Sequence, residues 1–180
     1  REKAGTTIAA NKVVCSLIHA LGLQHGLDYT KDVNFHKLNY GRLVIVADAD
    51  VDGIHIEGLL LNFIHALYPT LLEREKSFVV SMKTPIARVF RTRTDDLLFY
   101  DERRFNEYLS RQNKKVNAKY YKGLGTTKAE DVPDTFGLKM VEFEKDEDTF
   151  PSMQKAFHKK YADARKEWLS EYNPNAYKFS

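Results

Sequence analysis

The chain has 180 residues, of which 43% are hydrophobic and 12% aromatic, so one or two compact domains with an apolar core are expected. Charged residues make up 29%, and the formal net charge of +3 permits contact with nucleic acid without arguing for it. The single cysteine, Cys15, excludes an internal disulfide and a zinc site built from cysteines. No apolar run approaches the ~18 residues that cross a bilayer, so no membrane partner is expected.

The first half of the chain alternates helices with strands. Apolar residues at helical spacing predict a helix over residues 2–21 that stops at Gly22. The aliphatic run 43–47 predicts a strand buried on both faces, and an apolar stripe over 56–67 predicts a helix that ends at Pro69. Two more strands are predicted in "SFVVS" and "PIARVF". This order favours an α/β fold with a parallel sheet and helical crossovers.

The second half is less regular and predicts a mixed α+β region. "DDLLFYDERRFNEYLSRQNKK" suggests a short strand and a short helix, and "VNAKYYKGLGTTKAEDVPDTF" suggests a strand, a glycine turn and another helix. Apolar residues at spacings of three and four predict one long amphipathic helix from Pro151 to about Tyr172. Charge and loop residues increase near residues 90–95, which predicts two domains, 1–91 and 92–180.

Three aspartates, Asp48, Asp50 and Asp52, follow the first predicted strand at alternate positions. In an extended segment they share one side, and two residues span roughly 6.5 Å, so neighbouring carboxylates can converge on one ion or on a pair. Ions in two-metal phosphoryl-transfer sites lie about 3.5–4 Å apart, and Gly53 supplies the turn that such a site requires. Sites in open parallel sheets gather at the carboxyl ends of strands. Magnesium, which prefers carboxylate oxygens, is the expected ion.

The three aspartates also allow other interpretations. They can form a solvated acidic turn that caps the next helix, with Asp52 near its N-terminus. An EF-hand fails because its twelfth position is Leu59 and a strand precedes the loop. A haloacid-dehalogenase-like site needs a partner lysine and further acids that cannot be placed in this sequence. His55, beside the acids, can contact a phosphate or a carboxylate, or it can be structural.

Four segments in this order resemble one family. "VADADVDGIHIEGLLLNFIHALYPTLL", "KTPIARV" and "KYYKGLGTT" resemble the Toprim-containing cleavage core of type IIA DNA topoisomerases. "AFHKKYADARKEWLSEY" resembles the segment that leads toward the winged-helix domain of that family, so the likeness covers about residues 1–172. "DADVDG" is similar to bacterial gyrase, whereas "NFIH", "YPTLL" and "YYKGLGT" resemble the single-chain eukaryotic and viral enzymes. Ile54 departs from the serine that is usual in the family.

The resemblance implies a Toprim (Rossmann-like) parallel sheet flanked by helices. It makes Asp48 and Asp50 magnesium ligands, with Asp52 a third catalytic acid beside them, and it makes Lys122 a contact to the DNA backbone. Physical reasoning agrees, since Gly123 and Gly125 let the loop backbone come close to a bound phosphate, and the positive charge of a lysine suits that phosphate. The alternative for "YYKGLGTT" is an ordinary turn that caps the next helix.

The resemblance also implies parts that this sequence lacks. The family has a glutamate in an E-G-D-S-A-like motif, which does not occur here, and a nucleophilic tyrosine preceded by arginine, whereas none of the ten tyrosines here follows an arginine. The chain is therefore expected to be a piece of a longer protein and not to cut DNA alone.

The intact protein is expected to be an ATP-dependent homodimer that acts on double-stranded DNA. It should use two Mg²⁺ ions, for which Mn²⁺ or Ca²⁺ can substitute, and bind ATP in a domain outside this chain. The expected compartment is the nucleus for a cellular eukaryotic protein, or the host cytoplasm or nucleus for one from a large DNA virus. Rival functions are another Toprim enzyme, such as a nuclease or primase, and a non-enzymatic metal-dependent or purely structural DNA-binding module.

Overall fold

Two small sheets and seven α-helices make up the part of the chain that is described in the computed structural model, residues 11–92 and 95–171. The strands are β1 (Leu43–Val46), β2 (Val79–Met82), β3 (Ala87–Phe90), β4 (Asp96–Phe99), β5 (Ala118–Tyr120) and β6 (Met140–Glu142). The helices are α1 (Lys12–Leu21), α2 (Asp32–Phe35), α3 (Val51–Leu67), α4 (Glu102–Ser110), α5 (Val132–Thr135), α6 (Thr149–Phe157) and α7 (Ala162–Ser170). Single 3₁₀ turns span Pro69–Glu73, Leu124–Thr126, Ala129–Asp131 and Lys159–Tyr161.

The first predicted helix is confirmed from Lys12 onward, and residues 1–10 lie outside the described residues. The Asn11 side chain caps its N-terminus by accepting from the backbone N–H groups of Val13 and Val14. Gly22 ends the helix as predicted, in the left-handed conformation (φ 70°), and its N–H donates to carbonyls of the last turn.

The first sheet has the order β1-β2-β6. β1 and β2 are parallel, with Leu43 opposite Val79, and α3 lies between them in the chain, as predicted. β6 runs antiparallel to β2 and was not predicted, because three residues carry little periodicity. The fold is therefore mixed α/β, and in the described residues the predicted parallel sheet is one parallel pair.

β1 is less buried than its aliphatic composition predicts. Ile45 is 4% exposed, but Val44 and Val46 are 39% and 37% exposed. Val44 and Val46 share one face of β1 and Ile45 lies on the other, so in the described residues one face is open to solvent and the prediction of a strand buried on both faces is wrong there. An aliphatic run reports hydrophobicity and cannot report which neighbours cover it.

The second sheet is antiparallel, with the order β4-β3-β5. Its core contains Ala87 and Val89 of β3, Phe99 of β4 and Phe105 of α4. The Phe105 ring lies 5.1 Å from Phe99 and 5.4 Å from Tyr120, measured between centroids. This packing fixes the end of β5, which leads directly into the glycine-containing loop.

The described residues up to Phe143 form one compact unit, and those from Glu144 onward form a second. The predicted division between residues 91 and 92 lies inside the first unit and stays a prediction.

The second unit does not contain the single long helix that the periodicity predicted. α6 ends at Phe157, His158 is extended (φ −82°, ψ 133°), and α7 begins at Ala162 after a 3₁₀ turn. The Arg165 guanidinium donates to the carbonyl oxygens of Lys155 (3.2 Å) and Ala156 (2.9 Å), which satisfies the end of α6. The prediction was wrong because apolar spacing can persist across a break in backbone conformation.

Phe105→Ala should lower the free energy of unfolding by about 3–5 kcal/mol, because it leaves a cavity between α4 and the second sheet. Phe136→Ala is the control, since Phe136 is 62% exposed and its truncation should change the value by less than about 0.5 kcal/mol. Urea denaturation followed by circular dichroism measures both values. Equal losses in the two variants would contradict the assignment of this core.

Candidate metal and DNA-contact site

The acidic segment joins the carboxyl end of a strand to the start of a helix. β1 ends at Val46, Asp48 lies two residues later, and α3 begins at Val51. Asp50 is the N-cap of α3, and its Oδ1 accepts from the N–H of Gly53 at 2.8 Å. The capping role that the alternative interpretation gave to this segment is thus performed by Asp50, with Asp52 in the first turn.

Gly53 allows the helix to start close to Asp48. It lies inside the first turn of α3 and is buried, and a Cβ atom there would lie 2.0 Å from the carbonyl oxygen of Asp48. Only glycine fits this approach, because real Cβ atoms do not come within 3.0 Å of backbone. The chain therefore turns directly after Asp50, as a converging acidic site requires.

The loop of residues 121–127, called here the glycine loop, contacts Asp48 across 76 positions of sequence. The backbone N–H of Leu124 donates to Asp48 Oδ1 at 2.7 Å. Gly123 has φ 124°, and a Cβ atom there would lie 3.0 Å from Asp48 Oδ2. Gly125 has no atom within 4 Å of such a position, so within the protein Gly123 is the crowded glycine of the two, and the predicted close approach of both glycines to a phosphate stays a prediction.

Thr126 closes the glycine loop. Its hydroxyl oxygen accepts from the N–H of Lys122 at 3.0 Å, and the hydroxyl donates to the carbonyl oxygen of Gly123 at 2.8 Å. The backbone N–H of Thr126 also donates to that carbonyl at 3.1 Å. These bonds fix the conformation of Gly123 and so the direction of the next N–H group.

The other predicted contact residues are exposed. Lys122 lies in the glycine loop, and Asp52 and His55 lie at the start of α3, all three with exposed side chains. Exposure is what contact with an external ion or phosphate requires. Their roles stay predictions.

The donor atoms suit a hard cation, but the aspartates are not assembled as one ligand set. Among the described residues, no group of three or more histidine, cysteine, aspartate or glutamate side chains is arranged to hold a metal ion. Asp48 and Asp50 each use one carboxylate oxygen to accept a backbone N–H, which leaves the second oxygen of each as a potential donor. Magnesium keeps several waters and needs only one or two carboxylates, so these two residues fit it. The sharing of ions by all three aspartates stays a prediction.

A buried ionic contact that the sequence analysis missed ties α3 to the end of β2. Glu57 is 8% exposed, and its carboxylate accepts from the Ser81 hydroxyl at 2.5 Å and from the Lys83 ammonium at 2.8 and 3.0 Å. Paired and hydrogen-bonded in this way, the charge can be buried. The two partners lie 24 and 26 positions away from Glu57, so no local spacing could have revealed them.

A second missed cluster supports the strand that leads into the glycine loop. Asp131 is 4% exposed and accepts from the Lys119 ammonium at 2.5 Å, from the Tyr121 hydroxyl at 3.2 Å and from the N–H of Lys128 at 3.2 Å. Arg88 lies 3.6 Å from the same carboxylate and also pairs with Asp96 and Asp134. The spacing of Lys119 in β5 and Tyr121 directly after it was a signal that both side chains share one face.

The pairing shifts the ionisation of both partners. The hydrogen bond from Lys119 is the main cause that lowers the pKa of Asp131, and the hydrogen bond to Asp131 raises the pKa of Lys119. Both shifts favour the charged forms, so the ion pair persists at neutral pH.

Comparison with known proteins decides the family. A family model described as the C-terminal associated domain of TOPRIM (TOPRIM_C) matches residues 82–179, more than half of the chain. The chain belongs to this family. Its sequence is 43% identical to DNA topoisomerase 2 of Invertebrate iridescent virus 6 over 94% of the chain, and 41% identical to DNA topoisomerase 2 of Arabidopsis thaliana over 97%. The predicted kinship with eukaryotic and viral type II topoisomerases is confirmed.

The structural comparison agrees with the sequence comparison. The TOPRIM_C chain resembles the crystal structure of the Plasmodium falciparum topoisomerase II DNA-binding, cleavage and re-ligation domain. The TM-score is 0.79 and the identity 30%, over 96% of this chain and 24% of that one. The chain spans 16% of the viral relative and 12% of the plant relative. None of the helices described here has both the length and the apolar character needed to cross a membrane.

Asp131→Asn should lower the free energy of unfolding by about 2 kcal/mol at pH 7, since it removes the charge that Lys119 and Arg88 face. The lowered pKa of Asp131 means that folding favours its ionised form, so this stability is present above the unfolded-state pKa of about 4. The difference in the free energy of unfolding between Asp131→Asn and wild type should shrink as the pH falls through the lowered pKa of Asp131.

Chemical denaturation at several pH values below about 5 measures this difference. Glu130→Gln is the control, because Glu130 is exposed, lies 3.7 Å from the exposed Lys128 and makes the smallest of the contributions that raise the pKa of Lys119. If the free energies of unfolding of Asp131→Asn and wild type differ by a constant amount down to about pH 2, the charge of Asp131 does not stabilise the fold.

Proposed function

We propose that this chain is part of the DNA cleavage and religation core of an ATP-dependent type II DNA topoisomerase. One observation carries the proposal: the glycine loop, which holds Lys122, is hydrogen-bonded to Asp48 at the carboxyl end of β1. This contact supports the proposal because it brings Lys122, the proposed phosphate contact, onto a segment next to Asp48, the proposed metal ligand. The relatives named DNA topoisomerase 2 support the reaction class.

In this proposal Asp48 and Asp50 hold Mg²⁺, with Asp52 as a third acid. Two ions, when bound, supply positive charge that stabilises the attacking and leaving oxygens of an in-line displacement. Mn²⁺ or Ca²⁺ can substitute as oxygen-binding cations. The parallel pair β1-β2 belongs to a Toprim-type parallel sheet, whose carboxyl edge faces the DNA.

The chain's own residues bind and orient the substrate. Lys122 binds a backbone phosphate, which positions the duplex without reading its sequence. His55, exposed on α3, is a second contact to the phosphate. Gly123 keeps the loop backbone close to the acidic segment.

The remaining parts of the reaction lie outside this chain in the proposal. A tyrosine attacks the scissile phosphate, a glutamate completes the metal site, and a separate domain binds ATP. Cutting both strands requires two copies, so the intact protein is a two-fold homodimer on double-stranded DNA. The protein acts in the nucleus if it is cellular, or in the host cytoplasm or nucleus if it is viral.

Asp50→Asn tests the metal role without disturbing the helix. Asparagine can still accept the Gly53 N–H as an N-cap, but its amide lacks the charge that attracts a cation. Plasmid relaxation by the protein that contains this chain, with ATP and Mg²⁺, should slow on the order of 100-fold or more, since about 3 kcal/mol of transition-state stabilisation is lost.

Asp163→Asn is the control for the charge change, because the Asp163 side chain is 98% exposed. Relaxation by Asp50→Asn at the wild-type rate would remove Asp50 from the mechanism. If the wild-type protein converts plasmid to linear DNA and does not reseal it, that result would favour the rival function of a Toprim nuclease.

Lys122→Ala should weaken DNA binding by a similar factor on all sequences, because a phosphate contact carries no base information. The slope of log K against log salt concentration should become less steep by about 1. Fluorescence anisotropy with labelled duplexes over a salt series measures both effects. Lys31→Ala is the matched control, an exposed lysine outside the loop, and an unchanged slope in Lys122→Ala would contradict the phosphate contact.

A further inference from the structure

Gly123 is constrained twice by the structure. Its backbone conformation (φ 124°, ψ 169°) belongs to a region that is essentially restricted to glycine. Independently, a Cβ atom at this position would lie 3.0 Å from Oδ2 and 3.2 Å from Cγ of Asp48. A side chain at this position is therefore strained by the local backbone, and its Cβ would displace the Asp48 carboxylate by a few tenths of an ångström.

The conformation of Gly123 directs the N–H of the next residue. Leu124 is the first residue of a 3₁₀ turn, so its N–H has no acceptor within that turn. It donates instead to Asp48 Oδ1 at 2.7 Å, a short distance that is typical of a hydrogen bond to a charged acceptor. The Asp48 carboxylate is thereby held in one orientation, with Oδ1 occupied.

We infer that Gly123 is a positioning residue for metal binding. It acts through the Leu124 N–H, which fixes the Asp48 carboxylate so that Oδ2 is presented to a divalent cation. This inference rests on the proposed function, in which Asp48 binds that cation. Without this hydrogen bond, the Asp48 carboxylate would lose its conformational freedom only when the metal binds. That entropy cost lowers the affinity for the cation.

The same arrangement links the DNA contact to the metal ligand. Lys122 precedes Gly123 directly, and the Thr126 hydroxyl bonds the backbone of both residues. The proposed phosphate contact and the residue that orients the Leu124 N–H are therefore adjacent in one hydrogen-bonded loop.

Gly123→Ala tests the inference, with Gly125→Ala as a matched control in the same loop. Affinity for Mn²⁺ is measured from the electron paramagnetic resonance signal of the free ion, using the protein that contains this chain without DNA or nucleotide. Gly123→Ala should weaken Mn²⁺ binding about 10-fold or more, as loss of a group that orients a metal ligand does. Gly125→Ala should change it less than about twofold, because its Cβ position is empty.

A double-mutant cycle with Asp48→Asn separates positioning from general damage. If Gly123 acts through Asp48, adding Gly123→Ala to Asp48→Asn should cause no further loss of Mn²⁺ affinity. A further loss of the same size would overturn the inference. Unchanged affinity in Asp48→Asn alone would instead refute the metal role in the proposed function. A loss in Asp48→Asn with none in Gly123→Ala would refute only the positioning role.

Thr126 provides a second route if Gly123→Ala does not fold. Thr126→Val removes both hydroxyl hydrogen bonds of the loop and leaves Asp48 and Gly123 in place. It should weaken Mn²⁺ binding, whereas Thr126→Ser keeps the hydroxyl and should restore it. Equal Mn²⁺ affinity in the valine and serine variants, with unfolding temperatures near that of wild type, would overturn the inference.

Discussion

The hydrogen bond from the Leu124 N–H to the Asp48 carboxylate is the contact on which the candidate site depends. It joins the glycine loop to the end of β1 across 76 positions of sequence. Together with the bond from Gly53 to Asp50, it explains how closely spaced acids are tolerated, since each of these two carboxylates accepts a backbone N–H. One oxygen on each remains available, so local stabilisation and cation binding are compatible.

Buried ion pairs hold the elements that carry this contact. Glu57 with Lys83 ties α3 to the end of β2, and Asp131 with Lys119 ties β5 to the turn after the glycine loop. Such pairs contribute little net stability when intact, because desolvation offsets their attraction, but loss of one partner leaves a buried charge. Their role here is geometric, because they fix the positions of the acidic segment and of the glycine loop.

Family membership and local geometry support the function at different levels. Kinship with DNA topoisomerase 2 supports the proposed reaction class, and the contact between Asp48 and the loop supports the proposed placing of cation binding beside phosphate binding. The chain covers only 16% of the viral relative, so the nucleophile and the ATP site belong to the proposal for the whole protein.

The sequence by itself determined the elements around the candidate site: Gly22 as a helix stop, the strand before the aspartates, the helix after them and the glycine loop. These follow from periodicity and from side-chain chemistry over a few residues. Only the tertiary structure decided that Asp50 caps α3 while Asp48 receives the loop, that Gly123 and not Gly125 is crowded, that β1 has an exposed face and that the last helix breaks at His158. Those outcomes depend on backbone dihedral angles and on neighbours far away in the chain, which no local pattern records.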